Sequence, residues 1–156
     1  MRLTVVALTH RPDGWVQEAL DMYARRFPPD WKPVLIELKP EPRDQGKTTE
    51  QILALEAKRI RAHIPPQALC IALDERGRDL TTRQVADTLS TWHDVGDSVC
   101  WLIGSADGLH VDLKADCRQQ WRLSSLTLPH ALARVVLLES LYRAWSLLTG
   151  HPYHRE

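Results

Sequence analysis

Apolar positions along the chain follow two rhythms. Short continuous apolar runs mark buried strands, and stretches with apolar residues three and four apart mark amphipathic helices. Arg2–Leu8 (RLTVVAL) is a β-branched run and the first predicted strand. Residues 13–27 carry Trp15, Val16, Ala19, Leu20, Met22, Tyr23 and Phe27 at helical spacing, with Asp13 as N-cap and Pro28-Pro29 as a stop. Val34–Leu38 is a second strand, and residues 39–47 (KPEPRDQGK) read as an exposed, mobile loop. Thr48 or Thr49 caps a helix carrying Ile52, Leu53, Leu55, Ala57 and Ile60, which Pro65-Pro66 ends. Leu69–Leu73 is a fully apolar strand, and Asp74–Asp79 (DERGRD) reads as a turn. Thr81 or Thr82 caps a helix through Val85, Leu89 and Trp92. Val99–Ile103 is another buried strand, Gly104–Gly108 a glycine-containing loop, and a helix follows near 109–117. Trp121–Leu123 is a short strand, His130–Leu148 a long helix, and residues 149–156 a tail. Strands alternating with helices predict an α/β fold, a mostly parallel sheet with helices on both faces.

Size and charge narrow the classes. The 156 residues fit one domain, 1–156, large enough for a core without disulfide staples. Hydrophobic residues are 44% and charged residues 26%, a globular rather than disordered balance. No apolar run approaches the roughly 18 residues of a membrane span, and the N-terminus has no signal-peptide pattern. Lys plus Arg is 20 and Asp plus Glu is 20, so a globally basic nucleic-acid binder is excluded, though a local basic patch is not. From Arg118 onward there are five Arg and no Lys, which favours planar, bidentate contact with phosphate or carboxylate. Cys70, Cys100 and Cys117 form no CxxC pair and read as small core hydrophobes of a reduced, cytoplasmic protein.

In open α/β sheets ligands bind beyond the C-terminal strand ends. Three such ends stand out: Leu73-Asp74-Glu75, Gly104–Gly108, and Ser124–Pro129. None matches a dinucleotide fingerprint, a P-loop or a nucleophile elbow. LSSLTLPH offers backbone groups and small side chains that suit an adenine and ribose, although an ordinary strand-to-helix connection looks the same. The 130–148 helix is apolar almost all round, as for a core helix or a subunit interface. Leu138 and Trp145 are expected on opposite sides of it, at least one of them facing a partner. Glu139–Arg143 has the spacing of a helix ion pair. The tail places His151, Tyr153, His154 and Arg155 within six residues, yet no acid or thiol at metal-ligand spacing accompanies the two histidines, so no metal is expected.

Three segments together, WVQEALDMYARRFP, LIGSADGL and SLTLPHALARVVLLESLYRAWSLLTGHPYHRE, resemble the ribosomal RNA large subunit methyltransferase H family over the whole chain. The resemblance implies a SPOUT-type fold with a C-terminal trefoil knot, which chain physics alone would not suggest. It implies a homodimer that binds S-adenosyl-L-methionine and methylates N3 of a pseudouridine in 23S rRNA within the ribosome, in the stem-loop facing the decoding centre. Carried over, the cofactor site is Leu73, Gly104, Leu123, Ser124, Ser125, Leu126, Thr127 and Leu128. The middle motif departs from the family, with Ser105 for a second glycine and Asp107 for a glutamate. A positive φ at Ser105 would cost about 1 kcal/mol or more, so either the backbone adjusts or the position does not need that conformation.

Methylation of an imide nitrogen needs one proton removed and developing charge stabilised. The candidates are His154 as base, with Arg155, Tyr153 and Arg143, followed by His130 and Arg134. Two other functions fit parts of the pattern: a SPOUT methyltransferase acting on tRNA, and a non-catalytic ribosome-binding module. The first usually carries an added RNA-binding domain, and the second has no need of an intact LSSLTLPH.

Overall fold

A computed structural model describes residues 1–155. Five strands, β1 (Leu3–Leu8), β2 (Val34–Leu38), β3 (Leu69–Asp79), β4 (Val99–Ile103) and β5 (Gln119–Arg122), pair in parallel in the order β2-β1-β4-β3-β5. Five helices connect or follow them: α1 (Gly14–Arg26), α2 (Thr49–Arg61), α3 (Thr82–Asp94), α4 (Val111–Asp116) and α5 (His130–Thr149).

The period of two in the strands divides the interior. Leu3, Val5, Ala7, Val99, Trp101, Ile103 and Ile71 face one side and pack with α1, α3 and α5. Val6, Leu8, Cys100, Leu102 and Ala72 face the other and pack with α2 and α4. Both faces are covered, which is why the strands read as continuous apolar runs.

Thr48 and Thr81 are the caps of α2 and α3. Each closes a capping box with Gln51 or Gln84, satisfying two backbone donors reciprocally. Gly150, left-handed at φ 68°, ends α5.

Three expectations change. Asp74–Asp79 is no turn but the second half of β3, and the pairing shifts there. Trp121 pairs with both Leu73 and Arg78, so Asp74–Gly77 loop out around it. A Cβ on Gly77 would stand 2.6 Å from the carbonyl carbon of Trp121 and 2.8 Å from its nitrogen. Second, Leu138 and Trp145 are seven residues apart and share a helix face. Leu138 is buried, and Trp145 packs beside Phe27 and Tyr142 within the same chain. Third, the 39–47 loop is pinned through Arg43, as described below.

Among the described residues no helix is long and apolar enough to cross a membrane. The three cysteines are free, and burial pushes the Cys100 and Cys117 thiols up to about 12.

Gly77→Ala should destabilise the fold by about 1–3 kcal/mol, the usual cost of overpacking, because β5 backbone fills the space. Thermal unfolding should show a fall of several degrees, and an unchanged midpoint would contradict this packing.

Candidate functional site

The ends of β3, β4 and β5 surround a cavity of about 410 Å³, within the range of small-molecule sites. Leu73, Gly104, Leu123, Ser124, Leu126, Thr127 and Leu128 all line it. Of the eight expected cofactor residues only Ser125 is absent from the lining. Leu126 is 77% exposed, an apolar side chain left at the rim with little among the described residues to cover it.

The wall after β4 depends on glycine. A Cβ on Gly104 would run into the carbonyl of Gly108 and stand 2.9 Å from the Leu109 nitrogen. Gly108 itself has φ 81°, closing a tight turn with its N–H donating to the Ser105 carbonyl at 2.9 Å. Ser105 takes no positive φ; Gln67 is the only non-glycine that does among the described residues. The position does not need that conformation.

Ser105 instead uses its hydroxyl. Its Oγ donates to Glu56 Oε1 at 2.6 Å and accepts from Arg43 Nη2 at 2.7 Å. Glu56 is 1% exposed and also accepts from Arg43 Nη1 at 3.2 Å and from the Glu41 N–H at 3.0 Å. Arg43 reaches on to Asp107 Oδ2 at 3.1 Å. A buried carboxylate with three donors is satisfied; stripped of them it would be costly. The 39–47 loop is thereby tied to the cavity wall. Opposite, burial alone would raise the Asp74 carboxyl. Lys114 Nζ at 2.9 Å and the Arg76 N–H more than offset this and hold it below the usual carboxylate range.

A second cavity of about 320 Å³ adjoins the first. Ser105, Ala106 and His130 line both. His130 is exposed at the rim, yet desolvation by the walls, then the charges of Arg134 and Arg43, hold its imidazole below the ordinary histidine range. Arg134 also lines this cavity and is paired with Glu37.

The tail lies elsewhere. Tyr153 Oη donates to Glu139 Oε1 at 3.1 Å, and its ring sits beside Tyr142, 4.8 Å between centroids. Arg143 Nε donates to the same Glu139 oxygen at 2.9 Å. Its guanidinium lies 5.0 Å from the Tyr153 ring centre, and His154 Nδ1 is 3.5 Å from its Nη1. Glu139 thus gathers Tyr153, Arg143 and, through Arg143, His154. Arg155 is exposed. None of these four lines either cavity. Arg143 stands thirteen residues beyond His130 on α5, about 20 Å along the axis at 1.5 Å per residue. The expected cofactor residues are brought together; the expected catalytic ones form a separate cluster.

The family model described as "Predicted SPOUT methyltransferase" matches residues 1–154. The chain is 55% identical over 155 residues to a protein of Bordetella petrii named ribosomal RNA large subunit methyltransferase H, covering 99% of each. It is 48% identical to the protein of that name from Paraburkholderia phymatum, again over 99% of each. The chain belongs to the ribosomal RNA large subunit methyltransferase H family of SPOUT methyltransferases. It is an rRNA methyltransferase. A solved structure described as a probable methylase family protein from Haemophilus influenzae Rd KW20 shares the fold, with a TM-score of 0.56 at 15% identity, over 99% of this chain and 70% of that one.

In this SPOUT methyltransferase, sequence reasoning missed Arg43 and Glu56. Arg43 sits in a segment whose Pro, Gly and charge read as loose loop, and a lone Glu in an amphipathic helix carries no signal of burial. Among the described residues no group of three or more His, Cys, Asp or Glu side chains is placed to hold a metal.

His130 carries a pH prediction. Its folded pKa lies below the unfolded value near 6.5, so below that pH the unfolded chain binds more protons and stability falls. Chemical denaturation from pH 7 to pH 5 should show a steeper loss for the natural chain than for His130→Asn. Parallel curves would contradict the assignment.

Proposed function

We propose that the chain transfers a methyl group from S-adenosyl-L-methionine to N3 of a pseudouridine in 23S rRNA, in the stem-loop facing the decoding centre. It acts on the ribosome as a cytoplasmic homodimer of one SPOUT domain per chain. The observation that carries this reading is the meeting of Leu73, Gly104 and the 123–128 segment around one cavity. Its walls combine strand-end backbone and aliphatic side chains such as Leu73, Ile103, Leu109 and Leu128 with charged groups including Asp74, Glu75 and Lys114. That mixture suits an adenosine with its thioether, and the missing Cβ at Gly104 keeps the strand-end turn compact enough to leave the space open. Trp121 looped by Asp74–Gly77 supports a trefoil knot, which requires one segment to thread closely through another.

When bound, S-adenosyl-L-methionine supplies a methyl carbon on a sulfonium, open to in-line displacement. The protein has to seat the imide nitrogen against it and manage one proton. His154 takes the N3 proton. Arg143 and Arg155 neutralise imidate or phosphate charge, and Tyr153, hydrogen-bonded to Glu139, holds the tail in shape. About 20 Å of helix separates Arg143 from its own chain's cavity, so these groups serve the cavity of the second subunit. Half-buried Leu132, Val135, Val136 and Leu147 leave α5 with apolar surface that suits the dimer contact.

Two measurements test the reading. Calorimetry should show S-adenosyl-L-methionine binding with the same affinity in EDTA, since no metal takes part; loss on chelation would oppose it. Deleting residues 151–156 should leave donor binding and the dimer nearly intact while methylation falls by a factor of order 10² or more, as for loss of acid–base and electrostatic groups. Full-rate methylation by the truncated chain would make the tail structural and remove the roles given to His154, Arg155 and Tyr153.

A further inference from the structure

The second cavity holds an arginine with an idle edge. Arg134 is 4% exposed and lines the cavity. Its Nη1 donates to Glu37 Oε1 at 2.6 Å. Its Nε and Nη2 are buried and have no hydrogen-bond partner among the described residues. Nε–H and one Nη2–H point the same way, and this parallel pair is the edge with which a guanidinium binds two oxygens at once. Buried donors are satisfied in folded proteins with few exceptions, so a pair left open on one side chain calls for a partner from outside.

The cavity's place in the sheet names that partner's surroundings. β1 connects to β2 on one side, while β4 pairs with it on the other. The strand order reverses at β1, and in open parallel sheets the crevice beyond such a reversal binds ligands. The cavity is built there, from the residues following β1 and the turn following β4. Arg11 and Arg43 join Arg134 in its lining, against one carboxylate, Asp13.

We propose that this cavity is a phosphodiester subsite, in which the Nε–Nη2 edge of Arg134 takes two oxygens of the RNA backbone beside the nucleotide being methylated. The inference rests on the function proposed above. The shared wall of Ser105, Ala106 and His130 sets the two ligands side by side, donor in one cavity and RNA backbone in the other. Arg43 is already paired with Glu56 and Asp107, so the open donors are those of the Arg134 edge, with Arg11 beside them. Two parallel N–H groups match the two oxygens of a charged diester better than a neutral base edge. Beyond desolvation, the charges of Arg134 and Arg43 lower the His130 imidazole, and that same positive field favours an anion in the cavity. The idle nitrogens are buried, so the proposal requires the guanidinium to turn toward the cavity when the ligand binds.

The test follows the Arg134 Nε–H resonance in the full chain, identified by its loss in Arg134→Lys. Inorganic phosphate should shift it, a pentauridylate strand should shift it at lower concentration, and S-adenosylhomocysteine should leave it in place. A response to S-adenosylhomocysteine and not to phosphate would assign the edge to the donor's carboxylate and overturn the proposal. So would a response to phosphate without one to the strand, or silence toward all three. In methylation assays Arg134→Lys, which keeps the charge beside Glu37 and loses the paired donors, should raise KM for the ribosomal substrate about tenfold, the worth of a charged hydrogen bond. Donor affinity should not change; an unchanged KM would count against the subsite. Should Arg134→Lys fail to fold, Glu37→Gln removes the competing carboxylate and should tighten phosphate binding, and weaker binding would overturn the proposal. Phosphate and strand binding at Arg134 without rRNA methylation would spare this subsite and remove the proposed function. Methylation with an unresponsive Arg134 would do the reverse.

Discussion

The site depends on one backbone contact, that of β5 with the looped half of β3. Gly77 has no side chain because the Trp121 backbone occupies the space where a Cβ would be. The Trp121 side chain is held as firmly on its other side, stacked 5.9 Å from Trp92 and edge-on to Trp101 at the same distance. A four-residue strand gains little from its own ladder. Burial of three indoles, each worth a few kcal/mol with further gain from ring geometry, is what holds it. With β5 held there, the chain leaving it must run past the ends of β3 and β4 before entering α5. Residues 123–128 therefore become a wall of the cavity rather than a free connection.

A second constraint sets the opposite wall. Glu56 on α2 is buried and needs donors, and it receives them from the 39–47 loop and from Ser105. Two pairs from distant parts of the chain, Arg43 with Glu56 and Ser105 with Asp107, form one polar network. Such networks specify geometry when every member is satisfied. The serine that stands where the family usually has glycine is accommodated because no positive φ is needed there and its hydroxyl lies between a carboxylate and a guanidinium. Asp107, shorter than the usual glutamate, still reaches the exposed flank of Arg43.

Much of this was legible in the chain. Buried parallel strands are apolar on both faces, so LTVVAL, LCIAL and VCWLI declared themselves, and paired threonines before an apolar run, Thr48-Thr49 and Thr81-Thr82, marked two helix starts to within one residue. Once strand ends were known, the general geometry of open sheets pointed to the ends at Leu73, Gly104 and Ser124, and the family resemblance supplied the particular set Leu73, Gly104 and 123–128. DERGRD was misread because its charges and glycine signal a turn, whereas here the glycine serves a backbone contact between segments more than forty residues apart. Local pattern cannot report such an encounter. Arg43, Glu56 and the idle edge of Arg134 were hidden for the same reason: their meaning lies in partners, or the want of them, brought by the fold. The tail's unusual chemistry was visible, and its distance from its own chain's cavity was not.

The account comes down to whether this site modifies the ribosome. The most direct measurement is mass spectrometry of the decoding-centre stem-loop of 23S rRNA from a strain lacking this protein, beside the same strain with it restored. The account predicts a pseudouridine without its N3 methyl in the first and with it in the second. A methylated pseudouridine in both would contradict it.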